Sequence, residues 1–271
     1  MDVMLGVRIL TAAIWVPVHL AIIIWGRPYH FLIYLEAISL VALLEMFRLL
    51  RATGRRPHRL ATIAAGVVYV AAIAYEPAVS LGAAAGLVAA ALVVPVFRRT
   101  TAGALADAGA TLLAFAYVPA FLGFLMLVRK LEAGVAFLLI FFITVWLIDV
   151  VAYFVGRVWG RRPLAPDISP GKTVAGGVGG VIVGLLTPVF MAKLFFPQAA
   201  LGWLGALALG AVLAGGDLFG DLAESALKRD ADVKDSGSIL PGHGGVLDRF
   251  DSVLYSAPLF FGVLVVLGRG G

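Results

Sequence analysis

Long apolar segments separated by short polar segments run along almost the whole chain. These segments fall at about 5–25, 30–50, 60–76, 78–97, 104–128, 133–156, 174–196, 199–222 and 246–268. Most are close to the roughly 20 residues that a helix needs to cross the hydrocarbon core of a bilayer. The pattern therefore predicts an all-α, polytopic integral membrane protein with about nine transmembrane helices. The boundary between the third and fourth segments is the weakest, because Glu76-Pro77 forms nearly all of it.

The composition supports a membrane protein. Hydrophobic residues make up 62% of the 271 residues and charged residues 14%, whereas soluble domains have about 45–50% and about 25%. The mean hydropathy of +1.02 excludes a soluble globular protein. The chain has no cysteine, which excludes disulfides, thiolate metal sites and cysteine nucleophiles.

The basic residues are distributed unevenly between the two sides of the membrane. When nine spans alternate in direction, sixteen of the 21 basic residues fall on one side. The positive-inside rule then predicts a cytoplasmic amino terminus, cytoplasmic 6–7 and 8–9 loops, and a carboxyl terminus outside. We attribute the net charge of +5 to this topology and expect no nucleic-acid partner.

The uneven distribution of acidic residues predicts different roles for the two halves of the chain. Ten of the 16 lie between Asp149 and Asp251. We therefore expect residues 1–130 to form a transmembrane scaffold of about five helices. Residues 131–271 are expected to form the catalytic region, with about four helices and the cytoplasmic 6–7 and 8–9 loops.

Several aspartates of the second region lie inside predicted spans or at their ends. They are Asp149, Asp217, Asp221, Asp248 and Asp251. An ionised side chain in this position costs a few kcal/mol or more and is usually functional or paired. Spacings of four residues place Asp217, Asp221 and Ser225 on one helix face. Because no cysteine is available, clustered carboxylates indicate a hard cation, Mg²⁺ before Ca²⁺ or Zn²⁺.

Side chains and glycines suited to phosphate binding lie in the two adjoining cytoplasmic loops. The 6–7 loop contains Arg157, Arg161, Arg162, Ser169, Lys172 and Thr173, and the 8–9 loop contains Lys228, Arg229, Lys234, His243, Gly244, Gly245 and Arg249. This combination predicts a site where a metal ion and cationic side chains share the charge of a polyphosphate. A simpler interpretation stays open, chiefly for the 6–7 loop: its basic residues are topology signals, and the aspartates are their ion-pair partners.

Two further patterns have structural interpretations. Glu36 and Glu45 lie nine residues apart in the second predicted span and could form a proton or ion relay. Glu45 is also close enough to Arg48 to pair with it along the helix, and we favour this structural role. The sequence 171–173 resembles the end of a nucleotide P-loop, but Pro166 occupies the position of the required first glycine, so a P-loop is rejected.

The residues around the 8–9 loop occur in a recognisable order. SALKR (225–229) is followed by KDSG (234–237) and then by LPGHGGVLDRFD (240–251). This run resembles the signature of the phosphatidate cytidylyltransferases, also called CDP-diacylglycerol synthases. DVVAY (149–153) and SPGKT (169–173) are similar to further motifs of that family. The chain departs from the family after Thr173, where Val174-Ala175-Gly176 replaces an aromatic residue, Glu and Gly, so no role is transferred to Ala175.

The resemblance implies a reaction and its partners. The reaction is Mg²⁺-dependent transfer of CMP from CTP to phosphatidic acid, giving CDP-diacylglycerol and pyrophosphate in phospholipid biosynthesis. The resemblance also implies a homodimer embedded in the lipid of the cytoplasmic (inner) membrane, and with the predicted topology its active site is expected to face the cytoplasm. Binding of a second cation such as K⁺ is left open.

Roles for individual residues follow from the resemblance together with the expected metal chemistry. Asp221 and Asp248 are expected to hold Mg²⁺, and Asp149, Asp217 or Asp251 to be outer or second-cation ligands. His243 is expected to contact the pyrophosphate or fix its loop. Expected catalytic cations are Lys228, Arg229 and Arg249, and expected phosphate-binding residues are Arg157, Ser169, Lys172, Thr173, Ser225, Lys234, Gly244 and Gly245.

Two other functions are retained as alternatives. The same metal chemistry would serve CTP transfer to a different lipid acceptor, such as an isoprenoid alcohol or an ether lipid. A membrane transporter is less favoured, because transporters place charges near the membrane midplane, whereas these charges lie towards one face.

Overall fold

The computed structural model describes residues 3–97, 99, 101–237 and 244–270 of the chain. Helices account for most of these residues. The elements in chain order are α1 (Val3–Trp25), α2 (Pro28–Ala52), α3 (Arg59–Ala72), α4 (Pro77–Phe97), α5 (Ala104–Phe115), a π-helical turn (Ala116–Ala120), α6 (Phe121–Lys130), α7 (Gly134–Trp159), β1 (Pro163–Ala165), β2 (Ser169–Thr173), α8 (Val174–Leu194), a 3₁₀ turn (Pro197–Ala199), α9 (Trp203–Asp230) and α10 (Leu247–Val266).

Each predicted apolar segment coincides with helical structure. In the described residues, seven helices are long and apolar enough to cross a membrane: α2, α4, the continuous α5–α6, and α7 to α10. The described apolar part of α1, Ala13–Trp25, and α3 are shorter. The prediction of a helical, polytopic membrane protein is thus confirmed. The number of spans and the side of each terminus stay predictions.

A π-helical turn joins α5 to α6 within one continuous helix. Pro119 lies in this turn, where its missing N–H and its ring prevent the regular α-helical bonding pattern. Gly66 of α3 faces the proline, and a Cβ atom at Gly66 would lie 3.0 Å from Pro119 Cγ. The glycine therefore makes room for the ring.

The connection between α7 and α8 contains a β-hairpin that the all-α prediction omitted. β1 and β2 pair antiparallel, with Pro163 opposite Thr173 and Ala165 opposite Ser169. The strands are only three and five residues long and contain proline, glycine and lysine, so they have no apolar alternation to reveal them. The hairpin ends where α8 begins, because the Thr173 hydroxyl accepts the Gly176 N–H at 3.1 Å as an N-cap.

The chain forms two compact units. The first unit comprises Met1–Leu127 and Leu227–Arg249, and the second comprises Val128–Ala226 and Phe250–Gly271. The helices α6, α9 and α10 each contribute residues to both units. The predicted functional division, a scaffold in 1–130 and a catalytic region in 131–271, is a statement about roles and stays a prediction.

Large apolar side chains of α2 form much of the core of the first unit. Phe31, Leu35 and Phe47 are completely buried. The connection between α2 and α3 is held by α5, since the Arg56 N–H donates to Asp107 Oδ1 at 2.7 Å. The polar loop is thereby ordered against the apolar helices.

Glycines allow the helices of the second unit to approach closely. A Cβ atom at Gly176 of α8 would lie 2.6 Å from the Ala152 oxygen of α7. A Cβ atom at Gly210 of α9 would lie 2.5 Å from the Gly184 oxygen of α8. Such small-residue contacts let helix backbones meet without intervening side chains, which is how helices associate in an apolar solvent.

The close contact between α8 and α9 leads to a stability prediction. We expect Gly210→Ala to destabilise the protein, because the added methyl group meets backbone atoms of Gly184 and Leu185 that have no rotamer to change. Overpacking of this kind costs about 1–3 kcal/mol, which lowers the melting temperature by roughly 2–4 °C per kcal/mol in a chain of this size. Thermal unfolding in detergent would measure the shift.

Gly215→Ala is the matched control on the same helix, since a Cβ atom at Gly215 would have no heavy atom within 4 Å. The control is expected to keep or raise the melting temperature, because alanine has the higher helix propensity. Equal melting temperatures for the Gly210→Ala variant and the unmodified protein would contradict the proposed backbone contact.

Candidate active site

A cavity of about 330 Å³ lies within the second unit. Residues of α7, the β-hairpin, α8 and α9 line it. Its charged and hydroxyl-bearing lining residues are Asp149, Tyr153, Arg157, Lys172, Thr173, Asp217 and Asp221. Six of these are predicted site residues: Asp149 and Arg157 of α7, Lys172 and Thr173 of the hairpin, and Asp217 and Asp221 of α9. The fold therefore brings predicted residues from three separate elements to one cavity.

An ion pair spans this cavity. Lys172 Nζ of the hairpin lies 2.7 Å from Asp221 Oδ2 of α9, and both side chains are partly exposed. The Ser225 hydroxyl, one turn further along α9, donates to Asp221 Oδ1 at 3.2 Å. The predicted alignment of Asp221 and Ser225 on one helix face is confirmed by this bond.

Asp217 lies one helical turn before Asp221 and is 6% exposed. Among the described residues, its Oδ1 atom has no hydrogen-bond partner. Asp149, Lys172 and Asp251 are near enough to act on it electrostatically. A buried carboxylate oxygen without a donor is suited to a cation, because a cation would replace the lost hydration.

The hairpin and α7 approach each other through two glycines. Thr173 Oγ1 would lie 2.8 Å from a Cβ atom at Gly156 and 2.6 Å from one at Gly160. Side chains at those positions would push Thr173 of β2 away from α7. Arg157, between the two glycines, is exposed and donates to the Tyr153 hydroxyl at 2.9 Å. Ser169 begins β2 but does not line the cavity.

A second polar cluster belongs to the first unit and surrounds Asp248. Lys228 Nζ donates to Asp248 Oδ1 at 2.8 Å. Asp248 Oδ2 accepts the Ser236 hydroxyl at 2.9 Å, the Ser236 N–H at 3.0 Å and the Gly245 N–H at 2.7 Å. Donors therefore occupy both oxygens of this carboxylate. A Cβ atom at Gly244, which has a φ of +81°, would lie 2.7 Å from Asp248 Oδ2.

Sequence reasoning missed one member of this cluster, Glu45. The predicted partner was Arg48, but the structure bonds the Glu45 carboxylate to the N–H groups of Val246 and Leu247, at 3.1 and 2.7 Å. The usable signal was the position of a carboxylate in the middle of an apolar span, which implies a partner. That partner is about 200 residues away in the chain, so helix spacing did not reveal it.

The remaining predicted residues divide into three groups. Arg229, Lys234 and Arg249 are exposed. Asp251 belongs to the second unit, and its Oδ1 accepts the Ser252 N–H at 2.6 Å. His243 lies outside the described residues.

Carboxylates of the second unit are the side chains best suited to the expected metal ion. In the part of the chain that the structure describes, no three His, Asp or Glu residues form a ready-made metal site. Mg²⁺ commonly uses one or two carboxylates and completes its shell with water and substrate phosphate. Asp217 and Asp221 in the cavity fit that requirement. Asp248 belongs to the other unit and already has a full set of donors, so its role as a ligand stays a prediction.

Comparisons with known proteins identify the family of the chain. The model of the Cytidylyltransferase family matches residues 6–267. A phosphatidate cytidylyltransferase of Staphylococcus saprophyticus is 46% identical over 153 residues, which are 56% of this chain and 57% of the relative. The protein of the same name from Staphylococcus haemolyticus is 46% identical over 154 residues, and that from Staphylococcus aureus is 41% identical over 153 residues. Each alignment again covers 56% of this chain and 57% of the relative.

The aligned part of the chain thus spans 57% of the length of these curated relatives. The family model extends over nearly the whole chain. The family predicted from the motifs at 149–153, 169–173 and 225–251 is confirmed, and the chain belongs to the Cytidylyltransferase family.

Proposed function

We propose that the protein transfers CMP from CTP to phosphatidic acid, producing CDP-diacylglycerol and pyrophosphate with the help of Mg²⁺. Membership of the Cytidylyltransferase family and the name shared by the relatives support this activity. The single observation that carries the proposal is the ion pair between Lys172 and Asp221 in a cavity also lined by Asp149 and Asp217. Such a cavity offers both charges that a metal-bound polyphosphate requires.

The proposed reaction is a displacement at phosphorus. An oxygen of the lipid phosphate forms a bond to the α-phosphorus of CTP, and the bond from that phosphorus to the bridging oxygen of the β-phosphate breaks. Pyrophosphate leaves with the bonding electrons. The lipid phosphate is already anionic at neutral pH, so the step depends on positioning and charge neutralisation more than on a general base.

Residues of the cavity would position the phosphates. Lys172 and Arg157 supply cationic groups, and Thr173 supplies a hydroxyl. Ser169 and Ser225 are proposed to bind phosphate from the edges of the same region.

The carboxylates of the second unit would hold the cation. We propose Asp221 as a ligand, with Asp149, Asp217 and Asp251 as outer or second-cation ligands. Bound Mg²⁺ would neutralise phosphate charge as it develops on the leaving group. Asp248 stays a proposed ligand from the first unit.

Basic residues of the first unit are proposed to bind substrate phosphates. They are Lys228, Arg229, Lys234 and Arg249, with Gly244 and Gly245 permitting close backbone approach. The role proposed for His243 is contact with pyrophosphate or support of its loop. We further propose that the protein is a homodimer in the cytoplasmic membrane, with its active site facing the cytoplasm.

Pyrophosphate release tests the reaction. Detergent-purified protein is expected to release pyrophosphate only when CTP, phosphatidic acid and Mg²⁺ are all present, because each supplies a reacting or neutralising group. A coupled phosphate assay with each component omitted in turn would measure this. Replacing phosphatidic acid by polyprenyl or ether-lipid acceptors tests the alternative acceptors. No release by folded protein supplied with phosphatidic acid would contradict the proposal.

The role of Asp221 leads to a second prediction. Asp221→Asn keeps the shape of the side chain but removes its charge, so it removes both the proposed cation ligand and the partner of Lys172. We expect kcat/KM to fall by about 10²-fold or more, the loss typical of one strong electrostatic contact in an active site. A titration with Mg²⁺ should accompany the kinetics.

Asp167→Asn is the matched control for this variant. Asp167 lies between β1 and β2, in the hairpin that carries Lys172. It is exposed and does not line the cavity. Its activity should stay within about twofold of the unmodified protein, as for a surface substitution away from special features. The assignment of Asp221 is wrong if Asp221→Asn retains full turnover at saturating Mg²⁺.

The proposed orientation is testable because the chain has no cysteine to give a labelling background. Cysteines replacing Arg55, after α2, and Glu132, before α7, would both occupy exposed positions. We expect a membrane-impermeant maleimide to label Glu132→Cys in intact cells, but Arg55→Cys only after permeabilisation, as the positive-inside rule requires. The opposite labelling pattern would reverse the proposed topology.

A further inference from the structure

Glu45 of α2 is a buried charge that the proposed reaction does not use. Its side chain is completely inaccessible to solvent. An ionised carboxylate in such a place is strongly unfavourable unless hydrogen bonds compensate for its lost hydration. The groups that supply those bonds all belong to the first unit and come from the segment 227–249.

Glu45 binds the start of α10. Its two oxygens accept the N–H groups of Val246 and Leu247, at 3.1 and 2.7 Å. These N–H groups have no partners within the helix, because the first turn of a helix always leaves its donors unpaired. Val246, which precedes α10, has no side-chain oxygen to cap them. A carboxylate from a different helix therefore performs the capping, which the positive end of the helix dipole also favours.

This cap is joined to Asp248, the second residue of α10. The Ser236 hydroxyl lies 2.9 Å from Asp248 Oδ2 and 3.4 Å from Glu45 Oε2. The hydroxyl donates to both carboxylates, with the shorter bond to Asp248, and the Ser236 N–H also donates to Asp248. Lys228 Nζ forms an ion pair with Asp248 Oδ1 at 2.8 Å. The position of Asp248 thus depends on a network that begins at Glu45.

Two glycines show how closely the chain packs around this carboxylate. A Cβ atom at Gly245 would lie 2.6 Å from Glu45 Oε2, and one at Gly237 would meet Glu45 Oε1. Larger residues at either position would displace the carboxylate. The surroundings are therefore shaped to the side chain of Glu45.

We propose that Glu45 is a positioning residue, which fixes the start of α10 and with it the Asp248–Lys228 pair in the geometry that the reaction needs. This inference rests on the proposed function. The role is indirect: Glu45 contacts the backbone that carries Asp248, and its buried side chain is closed to solvent.

Glu45→Gln is the main test variant, because it preserves size but replaces one acceptor oxygen by an N–H₂ group that faces backbone donors. Hydrogen–deuterium exchange of the ligand-free protein is expected to accelerate at least tenfold at the amides of Val246 and Leu247. With CTP and phosphatidic acid, kcat is expected to fall at least tenfold while KM for CTP changes less than threefold. Glu45→Asp should recover part of kcat, since it restores the charge.

Glu36→Gln is the matched control on the same helix. Among the described residues, the oxygens of Glu36 have no hydrogen-bond partner. The control should change neither the exchange of Val246 and Leu247 nor kcat. Ser236→Ala is a second variant that removes the bridging hydroxyl without removing a charge, and it should lower kcat with little change in the melting temperature.

The outcomes separate this inference from the proposed reaction. If the unmodified protein releases no pyrophosphate, the proposed function fails, and the exchange measurement still decides whether Glu45 caps α10. If the unmodified protein is active and Glu45→Gln keeps its kcat, Glu45 is not a positioning residue. Unchanged exchange at Val246 and Leu247 would overturn the capping contact itself. If Glu45→Gln fails to fold, full kcat in Ser236→Ala overturns the proposal.

Discussion

Carboxylates placed among apolar helices must find donors, and this requirement organises the polar parts of the structure. Glu45 is satisfied by backbone N–H groups at the start of α10, and Asp248 by Lys228 together with backbone donors. Asp221 is satisfied by Lys172 of the hairpin. Because burial reduces the hydration of these groups, each carboxylate is bonded to a helix start or a loop that supplies its donors. The polar residues are therefore part of the architecture as well as of the proposed chemistry.

The helices were predictable because hydrophobic length is a strong and local signal. A bilayer sets the length of each apolar segment, and charged or proline-containing connections interrupt the pattern, so helices such as α7 and α8 coincide closely with predicted spans. The hairpin was not predictable in this way. Its strands owe their position to the cap at Thr173 and to the ion pair of Lys172, neither of which leaves a periodic pattern in the sequence.

The candidate site was predictable only in part. Spacing along one helix correctly joined Asp221 to Ser225, since residues four apart share a face. The motif residues Asp149 and Lys172 do line one cavity with Asp221. Glu45 was assigned the wrong partner, because its real partners are distant in sequence. Helix periodicity carries no information about contacts between chain segments that only the fold brings together.

The pair formed by Lys172 and Asp221 has a consequence for ligand affinity. The two charges neutralise each other across the cavity, so an anion that takes the ammonium group leaves the carboxylate without a partner, and a cation that takes the carboxylate leaves the ammonium group without one. Either ligand alone must therefore break the pair at a cost that the other ligand can offset. Thermodynamic linkage then makes the two affinities mutually reinforcing. A cavity of this kind would discriminate against free anions, and the proposed nucleotide and metal ion would each favour the binding of the other.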